Sequence, residues 1–382
     1  MDERAADELM ASGHLTPEWR PSFLAVPRWQ FIPDTIWQWD QDRCGPDLVP
    51  LHRDEHPEQW LELASGDDAL ITQVDDGHPA GPGEIGEIAT SSASMPLVVA
   101  LMLQHLDVHG GERVLEIGTG TGYNAAILAH RLGADRVTSI EIDPAIATHA
   151  RKVLSEAGYG EVTVVTGDGA LGYLPAAPYD RVIATAACQA VPYPWVAQTR
   201  PGGRIVTPWG SQYLNFGLLA LTVNDDGTAT GQIVDHVTFM WLRDHRVHRR
   251  ALSTTGEQDK QARVTETCVP PAEVANAQYA PGACIAIGTR VRNCRSSYTP
   301  PESDPDGEGI LWLVDHKSNS WARLHHTPDG AGPHRVYQSG PRNLWDEVEA
   351  AHRWWVDHGK PGADRWRFTV TPQGQRIELV NP

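Results

Sequence analysis

Residues 114–124, Val114-Leu-Glu-Ile-Gly-Thr-Gly-Thr-Gly-Tyr-Asn124, constrain the fold more than any other stretch of the chain. An apolar run (Val114, Leu115, Ile117) enters three glycines at alternate positions, Gly118, Gly120 and Gly122, and helical composition follows from Tyr123. Strand, glycine turn and helix form the opening βα unit of a nucleotide-type fold, where a ligand packs on backbone because glycine lacks a Cβ. The spacing departs from the Gly-x-Gly-x-x-Gly of dinucleotide sites, which leaves room for a pyrophosphate at the helix start. Glu116, just before the first glycine, suits a ligand bearing an amino group or cation better than one bearing phosphates. The pattern favours S-adenosylmethionine over NAD.

From that unit onward, strand and helix patterns alternate. Strands are predicted at 113–117, 137–142, 162–166, 179–185 and 204–208, and helices at 97–106, 123–132, 144–157 and 193–198. Such alternation implies a parallel sheet with helices on both faces. Residues 218–223 and 228–234, joined by Asn224-Asp-Asp-Gly227, read as a β-hairpin. A terminal antiparallel hairpin fits a methyltransferase and is unusual in a dinucleotide domain. The expected fold is therefore α/β, a Rossmann-like class I S-adenosylmethionine-dependent methyltransferase core over residues 81–240. Residues 1–80, rich in Trp and Pro, are expected to form an N-terminal helical or substrate-lid segment, with a helix near 5–13.

Residues 241–382 are expected to form a small α+β appendage. Strand-like runs at 310–314 and 321–324 flank a turn, and 300–309 reads as a loop. Asn343 can cap a helix through residue 358, with Leu344, Val348, Ala351 and Trp355 on one stripe. A last hairpin is expected from 366–370 and 376–380, and the polar stretch 253–267 reads as linker or helix.

Composition excludes several classes. No apolar run approaches the roughly eighteen residues of a membrane span, and the N-terminus lacks the basic-then-apolar pattern of a secretory signal. Five scattered cysteines (Cys44, Cys188, Cys268, Cys284, Cys294) suggest reduced thiols in a cytoplasm rather than a disulfide or zinc framework. A net charge of −18 argues against nucleic acid as a partner. The one dense basic run, His245-Arg-Val-His-Arg-Arg250, reads as solvated surface or binding element. Its two histidines have no nearby carboxylate or cysteine partner, so no metal site is expected.

Carboxylates recur at successive strand ends. Glu141 ends the second strand, beside Ile142, where an acid can accept hydrogen bonds from both ribose hydroxyls; alternatively it helps Asp143 at a helix N-terminus. Asp168, between Gly167 and Gly169, can reach an adenine amino group, or close a plain turn. Thr185 and the small residues after it can line the donor methyl, with Cys188 as packing. The expected cofactor set is Glu116, Gly118, Thr119, Gly120, Gly122, Asn124, Glu141, Ile142, Gly167, Asp168, Gly169 and Thr185.

Across residues 23–210 the chain resembles the protein-L-isoaspartate O-methyltransferase family. The matching stretches include Val26-Pro-Arg-Trp-Gln-Phe-Ile-Pro33, Ser92-Ala-Ser-Met-Pro-Leu-Val-Val-Ala100, Gly167-Asp-Gly-Ala-Leu-Gly-Tyr173 and Arg200-Pro-Gly-Gly-Arg-Ile-Val-Thr-Pro208. The resemblance implies that Ser94 lies beside the substrate carboxylate, with Ser92 where the usual motif has threonine. Met95 stands where family members usually have glutamine. Ser94 is alternatively the N-cap of the following helix. An acceptor carboxylate is already ionised at neutral pH, so the protein's task is to hold donor and acceptor in line and exclude water. A serine hydroxyl donating to one carboxylate oxygen orients the other.

The extended C-terminal region, with Trp312, Trp321, Trp345, Trp354, Trp355 and Trp366, resembles that of methyltransferases of graspetide (ATP-grasp) or lanthipeptide maturation. That likeness implies methylation of an aspartate in a ring-constrained precursor peptide, leading to aspartimide or isoaspartate. The alternatives are repair of isoaspartate in damaged proteins and a non-catalytic, cofactor-binding peptide module. The tryptophans suit either peptide docking or the core of a small domain.

Overall fold

The computed structural model describes residues 1, 3–40, 47–79, 81–246, 262–303, 309–325 and 333–380. Cys44, residues 247–250 of the basic run, and residues 253–261 and 304–308 of the expected linker and loop lie outside them.

Two helices open the chain, α1 (Glu3–Ala11) and α2 (Arg20–Ala25). Ala6, Leu9 and Phe23 are buried in the same core as Leu103 and Leu128. Then comes a four-stranded antiparallel sheet: β1 (Thr35–Trp39), β2 (Leu48–His52), β3 (Leu70–Val74) and β4 (Ala89–Ala93), in the order β2-β1-β3-β4. Helix α3 (Pro57–Ser65) buries Trp60 and Ala64 against it. This corrects the expectation of a helical segment. These short strands carry no regular alternation of buried and exposed residues, so they leave no strand signal in a stretch rich in proline and tryptophan. Strand β4 also carries the sheet past the boundary expected at residue 80.

The core follows the expected order: α4 (Pro96–Leu106), β5 (Val114–Ile117), α5 (Tyr123–Leu132), β6 (Val137–Glu141), α6 (Pro144–Glu156), β7 (Thr163–Thr166), β8 (Tyr179–Ala184) and α7 (Tyr193–Ala197). Strand β9 (Thr199–Gly210) leads into the hairpin of β10 (Asn215–Val223) and β11 (Ala229–His236). Strands β5 to β9 pair in parallel. Strand β5 has β6 on one side and β8 on the other, so the chain order reverses there. That switch point opens a crevice at the carboxyl end of β5, where α/β sheets bind ligands.

A second antiparallel sheet holds β12 (Arg263–Thr267), β13 (Arg295–Thr299), β14 (Ile310–Asp315), β15 (Ser320–His325) and β16 (His334–Ser339), in the order β12-β16-β15-β14-β13. Residues 263–267 are thus a strand paired with β16, not linker or helix. The helix Leu344–Asp357 buries its predicted stripe, but Asn343 makes no side-chain cap; Gln338 Oε1 accepts from the Trp345 amide at 3.2 Å instead.

The last hairpin, β17 (Trp366–Thr371) and β18 (Gly374–Leu379), joins the central sheet beside β11, giving nine strands in the order β18-β17-β11-β10-β9-β8-β5-β6-β7. Trp355, Trp366, Phe368 and Val370 share a core with Leu115 and Val182. The last hairpin is therefore continuous with the core, while the five-stranded sheet packs in a cluster of its own with Ile287, Leu311 and Trp345. Trp321, Trp345, Trp355 and Trp366 are at most 6% exposed, so they pack rather than dock. Among the described residues no helix is long and apolar enough to cross a membrane.

Candidate functional site

The crevice floor is the glycine loop. Gly118, Gly120 and Gly122 all have positive φ (91°, 53° and 88°), and a Cβ on Gly118 would lie 2.6 Å from Thr185 Oγ1. Only glycine fits such a turn without strain. Thr185 Oγ1 donates to the Gly118 carbonyl at 2.6 Å. Beneath the loop, Glu116 is fully buried. Asn124 Nδ2 donates to its Oε1 at 2.7 Å, and Ser139 Oγ to its Oε2 at 2.5 Å. Thr119 Oγ1 lies 2.6 Å from Ser139 Oγ and continues the chain. Burial pushes the Glu116 carboxyl up to about 7, against the pull of the Ser139 and Asn124 bonds. Asn124 thus holds the acid, while its own Oδ1 is buried with no partner among the described residues.

Two more carboxylates stand at the ends of β6 and β7. Glu141 is 7% exposed, and its oxygens accept from the Gly120 amide at 2.9 Å and the Asp143 amide at 3.0 Å. Burial raises its carboxyl above the usual range. Helix capping belongs to Asp143, whose Oδ1 accepts from the Ala145 and Ile146 amides, with Oδ2 taking Gln73 Nε2 at 3.0 Å. Each Glu141 oxygen keeps a further acceptor site. Asp168 Oδ1 accepts from the Ala170 amide at 2.9 Å, and Trp195 Nε1 fixes the Gly169 carbonyl at 2.8 Å. The Gly167 amide bonds the Glu141 carbonyl at 2.9 Å, and Ile142 beside it is exposed.

Ser92 is the penultimate residue of β4, and Ser94 lies in the turn into α4. Both line the cleft shared with Glu116, Gly118, Gly120 and Thr185, and both also line a groove of about 1010 Å³. No hydrogen bond to either hydroxyl occurs among the described residues. Ser94 is not the helix N-cap. Met95 occupies that position without a side-chain bond, and the Leu97 amide donates to Asp67 Oδ1 at 3.1 Å from another loop.

Over the crevice lies a strap, residues 237–246. The Leu242 amide bonds the Ala187 carbonyl at 2.9 Å, and the Ala187 amide bonds that of Met240 at 2.7 Å. Arg246 Nη1 reaches both oxygens of Asp76 at 2.8 and 2.9 Å, and Arg243 Nη2 lies 3.0 Å from Asp76 and 3.7 Å from Asp143. The Gln189 amide donates to His245 Nδ1 at 3.2 Å. The described start of the basic run is therefore pinned to the site. Asp75 and Asp76 adopt left-handed φ of 49° and 54°, sparsely populated for residues with side chains, and Asp75 takes the Glu87 and Ile88 amides. The sequence reading passed over Asp76, Arg243 and Gln73; the Asp75-Asp-Gly77 turn was the one signal available. Cys188 is a packing residue, as expected, fully buried with its thiol pushed up to about 12.

A family model described as protein-L-isoaspartate(D-aspartate) O-methyltransferase matches residues 78–247. A protein-L-isoaspartate O-methyltransferase of Methanoculleus marisnigri is 48% identical over 129 residues, 34% of this chain and 57% of its own length. Protein-L-isoaspartate O-methyltransferase 2 of an Anaeromyxobacter species is 40% identical over 181 residues, covering 47% and 66%. The chain thus spans under two thirds of the curated relatives it matches. A solved structure titled protein-L-isoaspartate O-methyltransferase has the same fold across 99% of both chains, with a TM-score of 0.55 at 20% identity.

Proposed function

We propose, from a chain whose residues 78–247 match the protein-L-isoaspartate O-methyltransferase family model, that it is an S-adenosylmethionine-dependent methyltransferase acting on the free carboxylate of an isoaspartyl residue in a peptide or protein. One observation carries the reading: Ser92 and Ser94 line both the glycine-loop cleft and the wide groove. A donor in the first and a peptide in the second would meet at these hydroxyls.

The residues fit the cofactor. Glu116 offers a buried acid to an ammonium group, Glu141 has acceptor capacity for vicinal hydroxyls, and the Gly118–Gly120 turn lines the cleft beside them. When bound, S-adenosylmethionine supplies an electrophilic methyl on a sulfonium. The chain does the rest by placement. Ser94 donates to one oxygen of the acceptor carboxylate and turns the other toward the cleft, the strap excludes water, and no general base is required because the acceptor is already ionised.

A second reading is methylation of an aspartate in a ring-constrained precursor peptide, leading to aspartimide. Met95 in place of glutamine beside Ser94 favours it, as does a groove that extends to Tyr213, Arg295 and Ser296. The C-terminal tryptophans no longer support it, since most are core. The deciding assay follows methanol release and peptide mass with S-adenosylmethionine and two acceptors, a linear isoaspartyl peptide and a cyclised aspartate-containing precursor. Turnover of the first supports the isoaspartyl reading. Turnover of the second alone overturns it in favour of peptide tailoring. Binding of S-adenosylhomocysteine with no turnover of either would leave a non-catalytic module.

A further inference from the structure

We infer that Arg28 is a positioning residue for the acceptor hydroxyl of Ser94, working as a buried clamp on the turn between β4 and α4. The inference rests on the carboxyl-transfer reading above and adds a residue to it. Arg28 begins a short 3-10 turn (Arg28–Phe31) at the centre of the Val26–Pro33 motif, which that reading leaves without a role. It is 1% exposed.

A guanidinium so deeply buried is costly unless its donors are satisfied. Among the described residues no carboxylate bonds it directly and Nε is buried without a partner, so the clamp rests on Nη1 and Nη2. Nη1 donates to the Gly66 carbonyl at 2.9 Å, and Nη2 to the carbonyls of Asp68 at 2.7 Å, Ala93 at 3.1 Å and Ser94 at 3.2 Å. Two of the four acceptors are the peptide groups on either side of the Ser94 α-carbon. Fixing both carbonyls fixes the direction in which the Ser94 side chain leaves the backbone. The other two belong to residues 66 and 68, flanking Asp67, and Asp67 Oδ1 in turn accepts from the Leu97 amide at 3.1 Å. The Ser94-Met95-Pro96 corner is therefore held on one side by Arg28 and on the other by Asp67, through one loop.

This arrangement supplies what the Ser94 hydroxyl lacks. Among the described residues that side chain has no partner of its own, so the orientation comes from the backbone. Proline at 96 and the carboxylate on the Leu97 amide fix the exit from the turn, and the guanidinium fixes the entry. A lysine at position 28 would keep the charge but present one nitrogen, which cannot span four carbonyls in a planar fork.

The test compares wild type with Arg28→Lys, Ser94→Ala, the double variant, and Asp67→Ala at the exposed end of the clamp. Each is assayed on whichever acceptor wild type methylates, the isoaspartyl peptide or the cyclised precursor. Arg28→Lys should lower kcat by about tenfold to hundredfold, the range expected when a reacting group is misplaced by an ångström. S-adenosylhomocysteine affinity should stay within about twofold, because among the described residues Arg28 bonds only residues 66, 68, 93 and 94, none in the glycine loop. In the double variant the loss should not exceed that of Ser94→Ala alone. Multiplying losses, or a fall in cofactor affinity equal to that in kcat, would overturn the proposal and mark Arg28 as a general structural residue. Asp67→Ala should give the same kcat defect in milder form, and an unchanged kcat there would count against the clamp if Arg28→Lys fails to fold. Hydrogen exchange across residues 92–99 gives a readout independent of activity. Should wild type methylate neither acceptor, the transfer reading falls, and faster exchange there in Arg28→Lys would still support the clamp, while unchanged exchange would overturn it.

Discussion

The glycine loop over Glu116 and the Ser92–Ser94 turn face each other across one cleft, yet they are finished to different degrees. On the cofactor side every acid already has protein partners: Asn124 and Ser139 on Glu116, two backbone amides on Glu141, a third amide on Asp168. On the acceptor side the hydroxyls have none among the described residues, and only their backbone is held. A ligand common to every turnover can be met by a prebuilt wall, since preorganised groups need no rearrangement when it arrives. A peptide that varies in sequence is better met by a few oriented groups beside open space. Here that space is the 1010 Å³ groove.

The sharpest way to break this contrast is Glu116→Ala. It removes the buried acid and leaves the Asn124 and Ser139 donors unpaired, each costing about 1–3 kcal/mol. S-adenosylhomocysteine affinity by calorimetry should fall about a hundredfold, with a lower melting temperature. Retained affinity would mean that the acid is only structural. Ser94→Ala should do the reverse, lowering kcat by roughly tenfold or more while cofactor affinity holds, since a hydrogen bond to a charged group is worth about 1.5–3 kcal/mol. Equal losses in both quantities would erase the distinction between the two walls.

The finished wall was also the legible one. Strands β5 and β6 are buried along their whole length, helix Tyr123–Leu132 has the predicted bounds, and Glu141 and Asp168 sit at strand ends where the alternation puts them. The acceptor wall hangs on a sheet that the sequence hid. Ala89-Thr-Ser-Ser-Ala93 has no apolar period, and β1 and β2 lie in a stretch dominated by Trp and Pro. Arg28 could be noticed as part of a motif, but its four targets are carbonyls, which every residue carries and no sequence marks. The Asp76 ion pairs with Arg243 and Arg246 join distant segments through side chains that read locally as a polar turn and a basic run. Asn124 lines the cleft as a loop residue, and its bond to Glu116 is a contact that no spacing marks.

The pH dependence sharpens the comparison from the cofactor side. Glu116 has a folded value of about 7 against an ordinary 4.5, with burial as the main cause. The folded chain therefore keeps a proton that the unfolded chain has lost, so ligand-free stability should fall as pH rises from about 4.5 to 7 and then level off. An ammonium beside Glu116 needs the ionised form. Affinity for S-adenosylhomocysteine should rise with pH below 7 and flatten above it, a difference approaching tenfold between about pH 6 and pH 8. Calorimetry in buffers of different ionisation enthalpy should detect proton release at the lower pH. Glu116→Gln should give a flat profile, whereas a flat profile in wild type would remove the acid from the cofactor's reach.

The smallest expected effect tests what joins the two walls. Asp76 sits on the turn that follows β3 of the acceptor-side sheet, while Arg243 and Arg246 sit on the strap above the cofactor crevice. All three side chains are between a quarter and a half exposed, so solvent screens the pairing, and Asp76→Asn should cost well under about 1 kcal/mol of global stability. Its kinetic effect should be larger than its thermodynamic one. If the pairs hold the strap against the acceptor sheet, the cofactor product leaves only after they break, and its dissociation by stopped flow should quicken about two- to fivefold in the variant. Added salt should speed release from wild type toward the variant's rate and affect the variant less, because there only the longer Arg243–Asp143 pair is left to screen. Identical salt dependence in both proteins would show that the strap is held by its hydrogen bonds to Ala187, Gln189 and Asn215 and not by the Asp76 pairs. The two walls would then be joined through the shared core beneath them and not across the top of the cleft.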